Sequence, residues 1–547
     1  MPQHEEFDVV VAGYGPTGMA ASSLLARKGH RVCVFERWPT LYGQPRMATI
    51  DGETARIIQA AGDIKAALAN SVARPRYLIA NQFGQILIDH DWDKNHVCGF
   101  PYRISLHQPD IEDAMDAAAR SAGAEINQGW EVVSVTQQAD FVSVTALERR
   151  VSASGEVHRG ESRTVRARYL IASDGARSIV REGLGIERES WPFRGAWLTF
   201  DATRKRALPN FFGISPNGSV AAIFCAPEGR AHSIIPLGTD HVRFNFEVEP
   251  DTPSDGVLHL EVALPFLKTV YGISEDDVEV YRQAVYNFEG KLANTWRTGR
   301  IFLAGDAAHV MTPFQGQGGC SGLRDAINLA WKMDLVLKGL APDGLLDTYE
   351  SERKPDVRAY VEGSDRLGAM IFTKDPRAAA ERDNRLMNAR TANETEQRSI
   401  NSGILYCVDG EPPRLPTGSL GPQGVVRSSR GEGKFDEIVG GGFQLVGWQV
   451  DPAHFLSAAQ LEFLHSIGAV VRGVTDIAAG NEFLTDMDGA YKRFCRDFNI
   501  SGMIQRPDFV IFGTTKHPKE FSSLVDELRR QITCAPHGTI AGCCNSQ

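Results

Sequence analysis

The chain has 547 residues, of which 42% are hydrophobic, and carries a formal net charge of −10. This length allows two or three domains with cores of their own, and an acidic balance without a basic cluster argues against a nucleic-acid partner. No apolar run approaches the roughly 20 residues of a membrane span. The nine cysteines form no C-x-x-C pair, and His and Cys do not cluster at metal-binding spacings. We therefore predict a reducing, cytoplasmic location and no metal site.

The N-terminal stretch FDVVVAGYGPTGMAASSLLARKGHRVCVFER is typical of a dinucleotide-binding βαβ unit. An apolar strand over 7–12 leads into Gly13, Gly15 and Gly18, which allow a tight turn, close approach of a phosphate, and packing of the next helix on the strand. The free N–H groups at the start of that helix form a pyrophosphate seat. A second strand ends at Glu36, 18 residues after Gly18, which is about the spacing at which an acid meets the ribose hydroxyls.

A second motif, GRIFLAGDAAHVMTPFQGQGGCSGLRDAINLAWK, lies almost three hundred residues downstream. Its strand ends in Gly305 and Asp306, which places a carboxylate where α/β proteins bind ligands, at the carboxyl end of a parallel strand. The loop that follows contains one proline and three glycines: Pro313, Gly316, Gly318 and Gly319. A helix over about 320–337 would point its N-terminus at a flavin ring and favour negative charge on the reduced ring. Together the two motifs predict FAD rather than a nicotinamide dinucleotide as the bound cofactor.

These motifs resemble those of the class A flavoprotein aromatic hydroxylases, the family that includes phenol hydroxylase. GDAAHVMTPFQGQG is similar to a family signature, and ASDGARS over 172–178 is similar to a family motif that serves both FAD and the nicotinamide cofactor. PRMATIDGETARIIQ and SGLRDAINLAWK are most similar to the 3-(3-hydroxyphenyl)propionate hydroxylase branch. One departure is Cys320, which stands where many members carry an asparagine beside the flavin.

Further site residues follow from the resemblance and, for Tyr286, His232 and Arg243, from their positions in or beside predicted strands. We assign four more side chains to FAD: Arg37, Arg46, Gln108 and Asp174. The expected catalytic residues are Asp51, Pro313 and Tyr286. Asp51 is either a base for the substrate phenol or the N-cap of the helix that DGETARIIQ begins, and Tyr286 either lines the substrate pocket or packs in the core. His232 and Arg243 lie in a predicted roof sheet and could meet a substrate carboxylate.

The predicted fold is α/β, with a Rossmann-like FAD-binding domain formed by 1–185 and 285–400. Between these two parts, 186–284 alternates apolar and polar residues, as in HVRFNFEV, which predicts an inserted β-sheet domain that binds substrate. Residues 409–424 are rich in Pro and Gly and form a predicted linker. The stretch 425–547 resembles the thioredoxin-like C-terminal domain of phenol hydroxylase relatives. Because it lacks C-x-x-C, we expect it to provide support or a dimer contact rather than redox chemistry.

The resemblance implies an FAD-dependent monooxygenase that uses NADH or NADPH and O2 to hydroxylate a phenolic ring through a flavin C4a-hydroperoxide. Its substrate would be a small aromatic compound, either hydroxyphenylpropionate-like or a substituted phenol or catechol. We expect a homo-oligomer (a dimer) with no nucleic-acid or membrane partner. Three alternatives stay open: displacement of a nitro, halogen or carboxyl substituent, a non-oxygenating flavin dehydrogenase, and an FAD-binding assembly or regulatory subunit.

Overall fold

The computed structural model describes residues 5–73, 76–151, 157–211, 220–226, 229–253, 260–389, 399–407, 411–477 and 483–534. Residues 409 and 410 of the predicted linker, and the end of the predicted C-terminal domain beyond 534, lie outside the described residues. Within these ranges the strands form three large sheets and one small sheet. The small sheet has the order β3-β7-β4 and consists of β3 (Thr49–Asp51), β4 (Val72–Ala73) and β7 (Arg103–Ser105).

The first large sheet contains the dinucleotide motif. Its described strands are β1 (Glu5–Ala12), β2 (Val32–Glu36), β8 (Glu125–Gln128), β9 (Trp130–Gln137), β10 (Val142–Val151), β11 (Val157–Ala172), β17 (Arg297–Thr298) and β18 (Ile301–Leu303). The strand order is β17-β18-β11-β1-β2-β8, with β10 and β9 continuing from β11. β1 is parallel to β2 and β11, and β18 is parallel to β11. The carboxyl ends of β1, β11 and β18 therefore meet at one edge of the sheet, which brings both sequence motifs together.

The second large sheet covers that edge. Its described strands are β5 (Arg76–Asn81), β6 (Ile86–Asp91), β12 (Arg188–Arg204), β13 (Val220–Cys225), β14 (His232–Leu237), β15 (His241–Val248), β16 (Val278–Ala293) and β19 (His309–Val310), in the order β19-β16-β12-β15-β14-β13-β5-β6. It thus draws β5 and β6 from outside the 186–284 segment, whose division as a separate domain stays a prediction. One face packs Phe244 and Phe246 against Leu267 and Tyr271 of a helix, so the opposite face is left to line a cavity.

The C-terminal region has a third sheet with the order β21-β20-β24-β23-β22-β25-β26. Its strands are β20 (Val425–Ser428), β21 (Gly431–Lys434), β22 (Gln444–Trp448), β23 (Val470–Thr475), β24 (Phe483–Asp486), β25 (Gly502–Gln505) and β26 (Ile511–Thr515). β22 is parallel to β23 and antiparallel to β25. The expected thioredoxin-like arrangement stays a prediction for this region.

Thirteen α-helices connect these sheets in the described part of the chain. They are α1 (Pro16–Ala26), α2 (Gly52–Ala61), α3 (Ile64–Ala67), α4 (Gln108–Ser121), α5 (Ile179–Gly183), α6 (Leu260–Tyr271), α7 (Gly318–Leu337), α8 (Thr348–Ile371), α9 (Pro376–Asn388), α10 (Phe435–Val439), α11 (Ala458–Ser466), α12 (Ala490–Phe498) and α13 (Phe521–Thr533). α1 packs against α4 and α7, so the two helices that follow the two motifs lie side by side. Within the same ranges, no helix has the length and apolar content needed to cross a bilayer.

A buried ionic cluster joins the C-terminal region to the long helices. Arg506 donates to Oε2 of Glu352 on α8 at 2.6 Å and to Oδ2 of Asp508 at 2.6 Å. Lys332 on α7 donates to the same Glu352 oxygen at 2.8 Å. None of these side chains is more than 4% exposed. Because buried charges are costly without partners, this cluster fixes the C-terminal region against α7 and α8.

Candidate functional site

A cavity of about 1280 Å³ lies between the first and second sheets. Both sequence motifs line it, together with side chains of β12 to β16. A cavity for one small ligand is usually about 300–1,000 Å³, so this central cavity has room for a dinucleotide and a small aromatic compound together.

The glycines of the first motif have different steric surroundings. Gly13 has φ +90°, and a Cβ there would lie 2.4 Å from the carbonyl oxygen of Ser173. A Cβ on Gly18 would lie 2.1 Å from the carbonyl oxygen of Gly13. At Gly15, by contrast, a Cβ would meet no protein atom within 4 Å. Gly13 and Gly18 therefore allow the turn to pack, while Gly15 leaves open space at the start of α1.

The acid at the end of β2 is held by the backbone. Glu36 accepts hydrogen bonds from the N–H groups of Tyr14 at 2.7 Å and Trp38 at 2.9 Å, one on each carboxylate oxygen. The guanidinium of Arg37 faces the ring of Trp38 at 5.6 Å. All of these residues line the cavity, which places the predicted ribose acid beside an exposed aromatic–arginine pair.

The Asp-Gly turn after β11 provides a buried carboxylate that is only partly paired. Oδ2 of Asp174 accepts from the N–H of Val180 at 3.3 Å, whereas Oδ1 is buried with no hydrogen-bond partner in the described part of the chain. Burial raises the pKa of Asp174 above its ordinary value. Nearby, Arg181 donates to the carbonyl oxygens of Ala176 and Ala307, both at 3.2 Å. It thus connects the ASDGARS motif to the GDAAH motif.

The second motif is fixed by side chains that sequence reasoning did not identify. Asp325 on α7 accepts from the N–H of Gly305 at 3.0 Å, from Nε of Arg353 at 2.9 Å, and pairs with Nε2 of His309 at 2.6 Å. Asp306 is left facing the cavity, and its surroundings raise its pKa by desolvation. His309 of GDAAH thus positions the turn that presents Asp306. The sequence signal for this role is its acid partner Asp325, 16 residues later on α7.

The glycine loop packs closely against the segment 47–49, at the start of the strand that precedes α2. Pro313 begins a 3-10 turn, Pro313–Gln315, and Gly316 follows with φ +62°. A Cβ on Gly319 would lie 2.6 Å from Sδ of Met47, whereas at Gly318 the first contact is at 3.7 Å. α7 begins at Gly318, two residues earlier than predicted, so the N–H groups at its start belong to the loop that lines the cavity.

A second loop enters the cavity beside the first motif. Oε1 of Gln108 accepts from the N–H of Arg46 at 2.9 Å and of Met47 at 2.6 Å, and Nε2 of Gln108 donates to Glu112 at 2.6 Å. The guanidinium of Arg46 lies 4.4 Å from the ring centroid of Tyr42. Gln108 therefore fixes the loop that holds Arg46 at the cavity wall.

Asp51 has the contacts of a helix cap. Its Oδ1 accepts from the N–H of Thr54 at 2.9 Å and from the Thr54 hydroxyl at 2.8 Å, and Oδ2 pairs with Arg324. Burial alone would raise the pKa of Asp51, but Arg324 and Arg103 hold it well below its usual range. A general base would need a raised pKa. These contacts favour the capping role, and a catalytic role for Asp51 stays a prediction without support from them.

Tyr286 and Pro313 both line the cavity. Tyr286 lies on β16 opposite Trp197, and its hydroxyl is buried with no hydrogen-bond partner among the described residues. Arg282 stacks over its ring at 5.1 Å. An unpartnered hydroxyl in a cavity wall favours contact with a ligand over simple packing.

The two roof-sheet candidates for a substrate carboxylate are placed differently from that expectation. Nδ1 of His232 lies 2.7 Å from the hydroxyl of Tyr271, on the face that packs against α6. Arg243 lines the cavity, but its Nε donates to Asp201 at 2.7 Å and its Nη1 to the carbonyl oxygen of Arg46 at 2.7 Å. These contacts give His232 and Arg243 roles other than the expected one. Alternation along a strand predicts neither the face on which a residue lies nor the side chain that pairs with it.

Comparison with known proteins assigns the family. A model described as "FAD binding domain" matches residues 6–364, and one described as "HcaD C-terminal domain" matches 418–531. A Rhodococcus jostii (strain RHA1) protein named "Probable NADH-specific resorcinol 4-hydroxylase" is 33% identical over 537 residues, which covers 97% of this chain and 96% of that one. A "3-(3-hydroxy-phenyl)propionate/3-hydroxycinnamic acid hydroxylase" of Mycobacterium sp. (strain KMS) is 29% identical, over 92% of this chain and 88% of that one.

A solved structure agrees with this assignment. The ternary complex of aklavinone-11 hydroxylase with FAD and aklavinone has a TM-score of 0.74 and 25% identity, and the match covers 97% of this chain and 100% of that one. This chain belongs to the family of FAD-dependent aromatic hydroxylases. The predicted family, cofactor and class of enzyme are thereby confirmed.

The site of this hydroxylase fits FAD. The open space at Gly15 permits close approach of a pyrophosphate to the backbone N–H groups of α1. The unpaired Oδ1 of Asp174 can accept a hydrogen bond from a ligand. Asp306 presents a carboxylate to the same cavity, next to Gly305, whose N–H donates to Asp325.

Proposed function

We propose that this chain hydroxylates a small phenolic ring, with FAD as cofactor, NADH as reductant and O2 as oxidant. Support comes from the single cavity that joins the dinucleotide motifs to an aromatic-lined wall of the second sheet. NADH is preferred because the R. jostii relative is named as NADH-specific. Reduced FAD, when bound, would supply the two electrons that activate O2, so that one oxygen atom of O2 is transferred to the ring and the other leaves as water.

The chain's own share is to hold and orient the reactants. We propose that the residues predicted from sequence either contact FAD or shape the turns that do, the latter being the role of Gly18 and Gly305, which are not among the lining residues of the cavity. The full set is Gly13, Gly15, Gly18, Glu36, Arg37, Arg46, Gln108, Asp174, Gly305, Asp306, Gly316, Gly318 and Gly319. The N–H groups at the start of α1 would bind the pyrophosphate, and the carboxylates would accept from hydroxyls of the cofactor. The N-terminal end of α7, which carries no acidic residue in its first turn, would favour negative charge on the reduced ring.

The substrate is proposed to lie against β12 to β16. Trp197, Phe288 and Phe314 form an aromatic wall there, and Tyr286 adds a hydroxyl whose hydrogen is free to meet a phenolic oxygen. Pro313 lines the same cavity. A wall of aromatic side chains would also keep water away from the reacting oxygen.

The decisive experiment measures NADH and NADPH oxidation by purified holoprotein with a panel of phenols under labelled O2. We expect phenol-stimulated oxidation and one labelled oxygen atom in an organic product. A protein that oxidises NADH yet incorporates no label with any phenol would refute the hydroxylase proposal and favour a dehydrogenase.

The setting of the enzyme is also proposed. Free thiols at every cysteine in the described ranges suit a reducing cytoplasm. We propose a homodimer to which the C-terminal region contributes. Light scattering at micromolar concentration tests the dimer, and a mass of one chain would exclude it under those conditions.

A further inference from the structure

One arginine in the cavity wall has donors that the protein does not satisfy. Arg103 lies on β7 and lines the cavity, with 14% of its side chain exposed. Its Nε and Nη1 are buried without a hydrogen-bond partner among the described residues. Oδ2 of Asp51 lies 3.8 Å from Nη1, which is too far for a hydrogen bond. Because a guanidinium removed from bulk water needs such bonds, Arg103 is placed to receive them from a ligand.

The carboxylate of Asp51 is held by other side chains. Arg324 pairs with its Oδ2, to which Gln317 also donates at 3.3 Å. Arg324 in turn donates to Glu53 at 2.6 Å. Arg103 and Arg324 together balance the charges of Asp51 and Glu53, but only Arg324 makes hydrogen bonds to these carboxylates. The cluster is therefore neutral by count, while the donors of Arg103 stay unmet.

A second group of charges makes the cavity favourable for an anion. Arg243 and Arg282 share the single carboxylate of Asp201, to which Nε of Arg243 and Nη1 of Arg282 each donate at 2.7 Å. This row has one positive charge in excess, and Arg243 lines the cavity. The Nη atoms of Arg243 donate to the carbonyl oxygens of residues 45 and 46. The row thus contributes a positive potential, whereas Arg103 contributes unmet donors.

Stacked aromatic rings connect Arg103 to the aromatic wall. The guanidinium of Arg103 lies 5.1 Å from the ring centroid of Trp92, and Trp92 stacks on Tyr77 at 5.9 Å with an interplanar angle of 5°. The hydroxyl of Tyr77 donates to the carbonyl oxygen of Phe314 in that wall at 3.0 Å. All four residues line the cavity. An aromatic ligand can therefore stack along this path while a charged group on it reaches the guanidinium.

The position of these rings favours the substrate over the cofactor as the source of the anion. Tyr77 lies on β5 and Trp92 directly follows β6, and both strands belong to the second sheet, which is proposed to hold the substrate. The glycine turn and the acid of the dinucleotide motif belong instead to the first sheet.

We propose that Arg103 binds a carboxylate carried by the phenolic substrate, so that the site prefers an acidic phenol to its uncharged counterpart. The inference rests on the proposed function and narrows its substrate class. A carboxylate accepts charge-assisted hydrogen bonds from a guanidinium, and these are stronger than the bonds that a neutral amide of the same shape can accept.

The test compares two acids, 3-hydroxybenzoate and 3-(3-hydroxyphenyl)propionate, each with its own primary amide. Dissociation constants for the oxidised holoprotein are measured from the change in flavin absorbance. We expect at least one acid to bind more tightly than its amide. Arg103→Gln should lower this preference about ten- to a hundredfold, the effect of losing a hydrogen bond between charged groups. Arg103→Lys keeps the charge without the planar fork and should retain part of the preference.

Arg166→Gln is the matched control. Arg166 on β11 also has a buried Nε without a partner among the described residues, and its guanidinium lies 4.5 Å from the ring centroid of Phe141. It is not one of the residues that line the cavity, so the preference for the acid should be unchanged in this variant.

Three results would overturn the inference. The first is that neither acid binds more tightly than its amide in the wild-type protein, a comparison that needs no substitution. The second is a preference that survives Arg103→Gln, and its loss in Arg282→Gln would then assign the carboxylate to the Arg243–Asp201–Arg282 row. The third is weaker binding of FAD, or a raised KM for NADH, in Arg103→Gln with an unchanged preference, which would assign a cofactor phosphate to Arg103.

These outcomes are separate from those of the proposed function. Binding to the oxidised holoprotein requires no turnover, so the preference for the acid is measured whether or not a product forms. Absence of labelled product from every phenol would refute the hydroxylation and leave the assignment of Arg103 to be decided by binding alone.

Discussion

Replacing Gly15 by alanine tests FAD binding separately from the stability of the protein, because the added methyl group enters the space for the cofactor and not the packed interior. Gly15 has φ −79°, which alanine adopts readily, and its Cβ would meet no protein atom within 4 Å. We therefore expect the apo-protein of Gly15→Ala to match the wild-type free energy of unfolding to within about 0.5 kcal/mol. The methyl group would occupy the space in which a pyrophosphate approaches the backbone. Losing one charge-assisted hydrogen bond there, about 1.5–3 kcal/mol, should weaken FAD binding roughly ten- to a hundredfold.

Gly18→Ala is the matched control from the same turn. Its Cβ would lie 2.1 Å from the carbonyl oxygen of Gly13 and 2.8 Å from Oγ of Ser173, so the backbone has to move. We expect the apo-protein to lose about 1–3 kcal/mol of stability in this variant. Urea unfolding of the apo-proteins and titration with FAD, followed by flavin fluorescence, measure the two effects separately. If Gly15→Ala binds FAD as tightly as the wild-type protein, the glycine loop is not the pyrophosphate seat.

Four further substitutions and one control variant test other parts of the site and fold. Asp306→Ala should purify with much less FAD and an unchanged circular dichroism spectrum, and a fully yellow protein would contradict its assignment. Asp51→Asn should slow flavin reduction and hydroxylation equally if the residue only caps its helix, whereas selective slowing of hydroxylation in stopped flow would support the catalytic role. Burial raises the pKa of Glu112 to about 7 from an ordinary 4.5, so the folded state holds a proton that the unfolded chain releases. The free energy of unfolding of the apo-protein should therefore fall as pH rises from about 4.5 to 7. Urea unfolding at pH 5 and pH 8 measures this loss, which should be on the order of 3 kcal/mol in the wild-type protein and should be removed in Glu112→Gln. Arg506→Ala removes the guanidinium that the buried carboxylates of Glu352 and Asp508 share, leaves Lys332 as the cation at Glu352, and should cost about 3–5 kcal/mol. The exposed pair of Arg377 should tolerate Arg377→Ala with no measurable change in midpoint.

The cofactor site was predictable from sequence because its signals are local. Gly13 and Asp306 follow their strands within a few residues, and Glu36 is the last residue of its strand. Each of the three strands is visible in the chain as a short apolar run. The order strand, glycine turn, helix predicts Gly13, Gly15, Glu36 and Asp306, all of which line the cavity. Arg46, Gln108 and Asp174 also line it, but they were assigned from the family resemblance. Gly18 and Gly305 are not among the lining residues.

The substrate side was decided by pairings that the chain order does not reveal. Asp51 pairs with Arg324, which lies 273 residues further along the chain, and Arg243 pairs with Asp201, 42 residues before it. These two ion pairs changed the roles expected for Asp51 and Arg243.

The second sheet shows the same division between local and distant information. Its strands β5 and β6 come from a distant part of the chain and pair beside β13. The alternation of a strand predicts that one face is covered, but it does not identify the covered face or the neighbouring strand. A side chain's charge and its role depend on that neighbour, so the sequence by itself determined the cofactor motifs, and only the tertiary structure decided which polar groups remain free to meet a substrate.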